Sequence, residues 1–300
     1  MQSTAATALQ SDPGSVPIVA TEDPAPPAAP TPPVDPRPLV AESSRIVTNR
    51  LWSGSLRRSV RALVYVPPGY AQSDQSYPVL YLLHGTPGTP DSLLSLGLKA
   101  TLDHGIESGT LKPMIVVLPT GGLRATSDTE WGDSISQPRA RWGHFVARDL
   151  VAFVDDAYRT LRRSESRAIA GVSMGGFGAV NLALHNRDLF RVASSWSGYF
   201  SANTPTVDGA PGSAAWIRSS PLAYAQTLRP SLVDKPVALS FYSGAKDRFF
   251  SENVAFNRLL RQLRTPHRFR AVEGGHSPRV WRRELLAELR FVSLHVNDLP

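Results

Sequence analysis

The chain has 300 residues, of which 42% are hydrophobic and 19% charged, and this composition suits one globular domain with a substantial core. It contains no cysteine, which excludes disulfides, thiolate metal sites and a cysteine nucleophile. The formal net charge is +7, but the arginines are scattered and are not interleaved with aromatic residues as in a nucleic-acid-binding surface. We therefore expect no nucleic-acid partner.

The first 40 residues are rich in Pro, Ala, Thr and Asp, as in the run TEDPAPPAAPTPPVDPRP. Such a segment has too little apolar area to offset its ordering entropy, so we expect a disordered tail or linker over residues 1–40 and a folded domain over 41–300. No apolar run approaches the roughly 20 residues of a membrane span, and the N-terminus lacks the pattern of an intact secretory signal. The spacer-like tail is compatible with a processed, exported protein.

Beyond residue 40, segments with strand character and amphipathic helical segments alternate. Residues 44–53 and 60–66 follow each other without a helix and predict an antiparallel hairpin at a sheet edge. Further strands are predicted over 77–83, 114–119, 167–172, 191–197, 237–243 and 268–272. Helices are predicted over 91–108, 143–159, 175–186, 252–263 and 279–294. The alternation predicts an α/β fold in which a mostly parallel sheet has helices on both faces.

The segment GVSMG, from Gly171 to Gly175, has the pattern of a nucleophile elbow with Ser173 at its apex. The apolar strand RAIAGV leads into it and the helix-like segment MGGFGAVNLALH leads out, which is the setting that the motif requires. Side chains at the two glycines would collide with the neighbouring strand and helix. The pattern predicts that Ser173 is a nucleophile.

A serine nucleophile needs a base, and histidine titrates in the right range. His276 follows the last predicted strand in the segment EGGHS, where glycines let the loop bring the side chain over the carboxyl edge of the sheet. Asp247 follows the strand VALSFYSG, so the chain has the nucleophile–acid–histidine order of α/β-hydrolases. The alternatives for Asp247 are a carboxylate at a helix N-terminus or a salt bridge to Lys246 or Arg248. We predict a catalytic triad of Ser173, His276 and Asp247.

Attack on an ester carbonyl places negative charge on oxygen, which preorganised N–H groups must stabilise. We predict the backbone N–H of Met174 as one donor and, by its position after the strand YPVLYLLHG, that of Thr86 as the second. His84 in the same loop is interpreted as a structural hydrogen-bonding residue.

Two long connections, residues 120–141 and 198–220, follow strands at their carboxyl ends and should border the pocket. Their aromatic residues and a neighbouring tryptophan are candidates for contacting the acyl or alcohol group, with simple packing as the alternative for each: Trp131, Trp142, Tyr199 and Trp216.

The chain resembles the esterase family that includes esterase D, bacterial feruloyl and acetyl-xylan esterases, enterochelin-type esterases and mycobacterial mycolyltransferases. The resemblance extends over residues 44–294 and includes the blocks VYVPPGY, YPVLYLLHG, PMIVVLP, RAIAGVSMGGFGA, SGAKD and GGHSPRVWRREL in the family's order. It implies the α/β-hydrolase fold, the same triad and oxyanion donors, and no metal or organic cofactor. Mycolyltransferases usually carry glutamate in place of Asp247, which disfavours that branch.

The leading hypothesis is a serine carboxylic-ester hydrolase acting on a small-molecule or polymer-linked ester. An acyltransferase that passes the acyl group to a sugar or lipid alcohol is the alternative within the fold. A non-catalytic carbohydrate- or cell-wall-binding protein is the alternative from another class, and a complete triad argues against it. Because the connections are polar and lack a long apolar stretch, we predict net hydrolysis of short to medium acyl or aryl esters.

Overall fold

The computed structural model describes residues 43–228 and 234–296. The tail predicted over residues 1–40 lies outside the described residues. The strands are β1 (Arg45–Ser53), β2 (Arg58–Val66), β3 (Val79–Leu83), β4 (Ile115–Pro119), β5 (Arg167–Val172), β6 (Val192–Trp196), β7 (Ala238–Gly244) and β8 (His267–Val272). They form one sheet of eight strands in the order β1-β2-β4-β3-β5-β6-β7-β8.

The two N-terminal strands form the predicted edge hairpin. β1 pairs antiparallel with β2 from Arg45↔Val66 to Ser53↔Arg58, and β2 also runs antiparallel to β4. The pairs from β4 through β3, β5, β6 and β7 to β8 are all parallel. Since parallel strands end at one edge of a sheet, the loops after β3, β5, β7 and β8 lie at that carboxyl edge.

The helices flank the sheet and include several short ones. They are α1 (Pro90–Leu94), α2 (Leu98–Glu107), α3 (Trp142–His144), α4 (Val151–Ala157), α5 (Met174–His185), α6 (Pro205–Asp208), α7 (Ala214–Ser219), α8 (Pro221–Tyr224), α9 (Phe250–Gln262) and α10 (Pro278–His295). A π-helical turn, Phe145–Leu150, joins α3 to α4. Short 3₁₀ helices span Tyr70–Gln72, Ser164–Ser166 and Ala225–Leu228. Within the described ranges, no helix is long and apolar enough to cross a membrane.

Two predicted segments differ from the structure. The helix predicted over 91–108 is divided into α1 and α2 because Gly97 has the left-handed φ of 87° that ends a helical turn. Residues 198–220, predicted as irregular, contain α6 and α7. Both are single short turns with local N-terminal signals, Pro205 in α6 and the Ser213 cap that accepts the N–H of Trp216 in α7. Such short helices leave no periodic apolar pattern to recognise.

The core lies on both faces of the sheet, as the apolar strands require. Successive side chains of a strand point to opposite faces. In β3, accordingly, Val79, Tyr81 and Leu83 belong to one buried cluster and Leu80 and Leu82 to the other. The first cluster is covered by the α3–α5 region and α9, and the second by α2 and α10. Helices on both faces keep the parallel strands dry and fix the positions of the loops at the carboxyl edge.

Candidate active site

Ser173 lies at the sharp turn between β5 and α5, with the strained φ and ψ of 56° and −118°. A methyl group on Gly171 would lie 2.3 Å from the backbone of Gly175, and one on Gly175 would lie 2.2 Å from the carbonyl oxygen of Leu83. Both glycines are therefore required for helix α5 to approach the sheet closely. The turn places the serine side chain at the carboxyl edge, where 5% of the residue remains exposed.

His276 connects the serine to Asp247 through its two ring nitrogens. Nδ1 lies 2.9 Å from Oδ2 of Asp247, and Nε2 lies 2.9 Å from Oγ of Ser173. A carboxylate only accepts, so Nδ1 carries the proton and Nε2 accepts from the serine hydroxyl. The Asp247 side chain is fully buried and the histidine side chain is 18% exposed. The arrangement leaves the imidazole open to a proton from the serine and closes its carboxylate partner to water.

The loops that carry Asp247 and His276 are bonded side by side. Ala245 donates its N–H to Val272 O at 2.8 Å, and Lys246 donates to Gly274 O at 2.8 Å. Gly274 has φ of 108°, a conformation that suits glycine. Because β7 and β8 are adjacent strands, these bonds continue the sheet beyond its edge and bring residues 29 positions apart together.

Two aromatic rings contact the His276 imidazole edge-on. The centroid of Phe249 lies 5.4 Å away and that of Trp281 lies 5.2 Å away, with interplanar angles of 79° and 86°. Phe249 also donates its backbone N–H to Oδ1 of Asp247 at 2.9 Å. The imidazole is thus oriented by packing as well as by its hydrogen bonds.

The amides proposed as oxyanion donors lie on either side of the serine. In the described part of the chain, neither Thr86 nor Met174 donates its N–H to a backbone carbonyl. The Thr86 hydroxyl donates to Ser127 O at 2.9 Å, and a methyl on Gly85 would lie 3.0 Å from Cβ of Ser173. The loop after β3 therefore passes directly against Ser173, with the Thr86 amide available to a ligand.

His84 joins this loop to the next connection. Its Nε2 accepts the N–H of Gly121 at 3.0 Å, and its Nδ1 donates to Gly85 O at 2.8 Å. Trp131 donates its indole N–H to the His84 carbonyl at 3.1 Å. Burial lowers the pKa of His84, so the ring is neutral and serves as a donor and an acceptor at once. These contacts agree with the structural interpretation of this histidine.

The four aromatic residues predicted to contact substrate occupy different surroundings. Trp131 and Trp142 are buried in the first core cluster, where Trp131 contacts His84 edge-on and Trp142 contacts Phe145. Trp142 also lines a cavity of about 250 Å³ together with Leu123 and Val207. The burial of Trp131 and Trp142 favours packing.

Tyr199 and Trp216 belong instead to a separate cluster with Phe177 and Phe249, which we call the aromatic wall. Tyr199 stacks on Phe177 at a centroid distance of 4.8 Å and lies at the same distance from Phe249. Since Phe249 contacts His276, the wall adjoins the site.

Sequence reasoning missed Glu130, which lies fully buried beneath the aromatic wall. It accepts hydrogen bonds from the Tyr199 hydroxyl and the Asn203 N–H at 2.8 and 3.0 Å. In the sequence it stands in a polar connection where a carboxylate is typical of a solvated surface, so no signal marked it. Across residues 43–228 and 234–296, no group of three or more histidine or acidic residues has an arrangement that could hold a metal ion.

Comparison with known proteins agrees with this geometry. The sequence model of a family described as "Putative esterase" matches residues 53–292. The chain belongs to this esterase family. Esterase Rv1288 of Mycobacterium tuberculosis is 37% identical over 135 residues, which cover 45% of this chain and 28% of that protein. An endo-1,4-beta-xylanase/feruloyl esterase of Xylanibacter ruminicola is 32% identical over 145 residues, covering 46% of this chain and 19% of that protein.

This esterase-family chain thus matches less than a third of the length of those two relatives. Among solved structures, a ferulic acid esterase superimposes with a TM-score of 0.75 at 28% identity, over 85% of this chain and all of that one (100%). Together with the mostly parallel sheet of eight strands, this similarity confirms the predicted α/β-hydrolase fold.

Proposed function

We propose that this chain is a serine carboxylic-ester hydrolase that works through an acyl-enzyme. The observation that carries the proposal is the His276 imidazole, which lies 2.9 Å from both the Ser173 hydroxyl and the Asp247 carboxylate. In this arrangement Ser173 is the nucleophile, His276 the general base and Asp247 the group that fixes the tautomer. Membership of the esterase family and similarity to a ferulic acid esterase support the same reaction class.

In the acylation step, Oγ of Ser173 attacks the ester carbonyl carbon while its proton moves to Nε2 of His276. The imidazolium that forms is stabilised by the Asp247 carboxylate. Negative charge develops on the carbonyl oxygen, and the amides of Thr86 and Met174 donate to it. Met174 is the first residue of α5, whose N-terminal dipole also favours negative charge. The tetrahedral adduct collapses, and His276 returns the proton to the departing alcohol.

In the deacylation step, water takes the position of the alcohol. His276 accepts a proton from the water as its oxygen attacks the acyl carbon, and the same amides stabilise the second oxyanion. The adduct then breaks its bond to Oγ of Ser173, which takes the proton back from His276, and the carboxylic acid is released. Side chains and backbone amides supply every protein group that the acylation and deacylation steps use. We therefore expect full activity in the presence of a chelator.

Short to medium acyl or aryl esters are the proposed substrates. The names of the relatives point to feruloyl esters as the first aryl substrates to test. The aromatic wall lies beside His276, and its half-buried member Trp216 is the better candidate for direct contact with an aryl group. Tyr199 is only 2% exposed and is proposed to act by packing against Phe249. Trp131 and Trp142 are proposed to act through packing.

The direct test combines labelling and hydrolysis. A fluorophosphonate probe should label the wild-type protein at Ser173 and leave Ser173→Ala unlabelled, and the variant should lose ester hydrolysis while keeping the wild-type Tm. The exposed Ser108→Ala serves as a matched control that keeps both. Unlabelled wild-type protein would favour the non-catalytic binding protein, and a labelled Ser173→Ala would reject the assignment of the nucleophile.

Hydrolysis and acyl transfer share the acyl-enzyme, so product partitioning must separate them. With an activated ester and increasing glycerol or trehalose, we expect free acid to dominate throughout, since a transferase must exclude water from its acceptor site. A transfer product that exceeds the acid at millimolar acceptor would favour the acyltransferase.

The proposed catalytic domain begins near residue 41. The first strand starts at Arg45 and the family match starts at residue 53. A protein shortened to this boundary should retain kcat/KM, with residues 1–40 acting as a tail or linker.

A further inference from the structure

Glu130 occupies an unusual place for a glutamate in this fold. Its side chain is fully buried, and its two oxygens accept hydrogen bonds from the second connection, which comprises residues 198–220. The donors are the Tyr199 hydroxyl at 2.8 Å, the Asn203 N–H at 3.0 Å and the Thr204 N–H at 3.3 Å. One carboxyl group on the first connection, residues 120–141, therefore organises the backbone and the leading aromatic residue of the second.

A second carboxyl group faces Glu130 within hydrogen-bond reach. Asp208, at the end of α6, is buried, and its Oδ2 has no donor among the described residues. Burial first, and then the neighbouring Asp208 side chain through hydrogen bonding and charge, raise the pKa of Glu130, so the two carboxyl groups are close neighbours. Two ionised carboxylates have no proton to share and repel each other. The contact requires that one of the two is protonated.

The surroundings favour one shared proton on this pair of carboxyl groups. Burial and the Asp208 carboxylate raise the pKa of Glu130 to about 9. The other titratable or charged groups that face the cluster are Tyr199, Asp128 and Arg248. Burial raises the pKa of Tyr199 and of Asp128, which carry no positive charge in either protonation state, and Arg248 acts on Asp128. The pair thus holds one proton at neutral pH, and the carboxyl group that carries it can donate to the other.

The backbone at Glu130 is strained in the turn that places its side chain against the second connection. Glu130 and Trp131 are consecutive non-glycine residues with φ of 47° and 54°. Left-handed backbone at a residue with a side chain costs on the order of 1 kcal/mol and persists where neighbouring contacts over-determine it. The same turn directs Trp131 to the His84 carbonyl and Glu130 to the second connection. Two functional loops therefore depend on one strained turn.

We propose that Glu130 is a positioning residue. A proton that its carboxyl group shares with Asp208 holds the second connection in place and so keeps Tyr199 packed against Phe249 beside His276. This inference rests on the proposed function for its catalytic consequence. Its structural consequence, a buried neutral carboxyl group, is independent of activity.

Ionisation of Glu130 should loosen this connection in alkali. The kcat/KM of the wild type should then fall about tenfold for each pH unit above the apparent pKa of the pair, mainly through a higher KM for aryl esters. The folded protein also binds this proton more tightly than the unfolded chain. The associated stabilisation is complete below the ordinary pKa of 4.5 and is lost as the pH rises toward about 9.

Three variants test the proposal. Glu130→Gln is neutral at every pH, donates to Asp208 through its amide and keeps acceptance from Tyr199, although it loses the weak bond from Thr204. It should retain most of the activity at neutral pH and remove the alkaline fall in kcat/KM. Asp208→Asn should also remove that fall, because an amide donor lets Glu130 ionise without repulsion. Glu130→Ala should raise KM about tenfold or more at every pH, as the loss of several buried hydrogen bonds implies.

Glu165→Gln is the matched control, a half-exposed glutamate before β5 at the opposite edge of the sheet. It should leave kcat, KM and the alkaline fall as in the wild type. The proposal is overturned if Glu130→Gln keeps the wild-type alkaline fall, or if Glu130→Ala keeps the wild-type KM.

Two measurements without substrate keep the inference separate from the proposed function. Infrared difference spectra should show a protonated-carboxyl band that titrates in alkali and is absent in Glu130→Gln. The Tm of Glu130→Gln relative to the wild type should increase with pH between about 5 and 9. A missing band, or a Tm that rises strongly with calcium in the wild type but not in the variant, would show a cation in place of the proton. Failure of fluorophosphonate labelling would reject the esterase while leaving these two results intact.

Discussion

The proposed triad and the aromatic wall beside it are held in place by different kinds of contact. Ser173, Asp247 and His276 stand at the ends of adjacent or nearby parallel strands, and backbone bonds such as Lys246 N–H to Gly274 O fix their loops. The wall depends on side-chain hydrogen bonds from the second connection to Glu130. The triad is therefore rigid with the sheet, whereas the wall can change with one protonation.

This difference assigns separate roles to two buried carboxyl groups. Asp247 faces the imidazole that becomes a cation in the proposed mechanism, and Glu130 has another carboxyl group as its neighbour. A carboxylate stabilises the first partner and repels the second. We expect substitutions around Asp247 to change kcat. Those around Glu130 should change KM and the pH at which kcat/KM falls in alkali.

The largest expected effect is that of Asp247→Asn. An amide next to Nδ1 favours the wrong tautomer of His276. We therefore expect kcat/KM to fall by about 10⁴-fold while the fold remains intact. In serine proteases the same change to the triad aspartate has an effect of that size. The measurement is the hydrolysis of a short aryl ester together with Tm. Asp234→Asn, at the exposed amino side of β7, is the matched control and should leave both unchanged. Near-normal activity of Asp247→Asn would assign the histidine partner to another carboxylate.

Gly175→Ala tests how tightly the sheet holds the nucleophile. The added methyl would lie 2.2 Å from the Leu83 carbonyl, and overpacking of this kind typically costs about 1–3 kcal/mol. The displaced elbow should also lower kcat by about a hundredfold, the effect of misplacing reacting groups. Denaturant unfolding and kcat measure the two effects. Gly54→Ala, where nothing lies within 4 Å of the new methyl, is the control, and equal stability of both variants would contradict the packing argument.

The sequence indicated the proposed triad and two aromatic residues of the wall, Tyr199 and Trp216, but not the contact of the wall with Glu130, for a physical reason. An elbow, a glycine-flanked histidine and an aspartate after a strand are local patterns, and parallel strand ends bring such patterns together. The contact of Glu130 with Tyr199 joins residues 69 positions apart on two irregular connections, where neither periodicity nor a motif predicts register. The division at Gly97 and the short helices α6 and α7 were missed because single turns depend on caps rather than on pattern.

The expected effect of His84→Ala is intermediate in size between those of changes at the triad and at the aromatic wall. Removing the ring breaks the bonds to Gly121 and Gly85 and frees the loop that carries Thr86, so kcat should fall by about tenfold to a hundredfold, less than the loss of an entire oxyanion donor. KM should change little because the ring does not touch the aromatic wall. Since burial lowers the pKa of His84, the ring is already neutral near pH 7, and its removal should not change the pH dependence of kcat there. A variant in which only KM rises would contradict a role in positioning the oxyanion donor.

The smallest expected effect is that of Tyr199→Phe, which separates stacking from hydrogen bonding in the wall. The ring keeps its contacts with Phe177 and Phe249, while Glu130 loses the hydroxyl donor at 2.8 Å. Loss of one buried hydrogen bond should lower the unfolding free energy by about 1 kcal/mol and change the KM for an aryl ester by less than about fivefold. Tyr199→Ala should raise that KM much further and leave an acetyl ester less affected, because it removes the stacking surface. Denaturant unfolding and KM for paired aryl and acetyl esters measure both changes. If the two variants raise KM equally, the hydrogen bond of the hydroxyl to Glu130, rather than the packing of the ring, determines the position of Tyr199 in the wall.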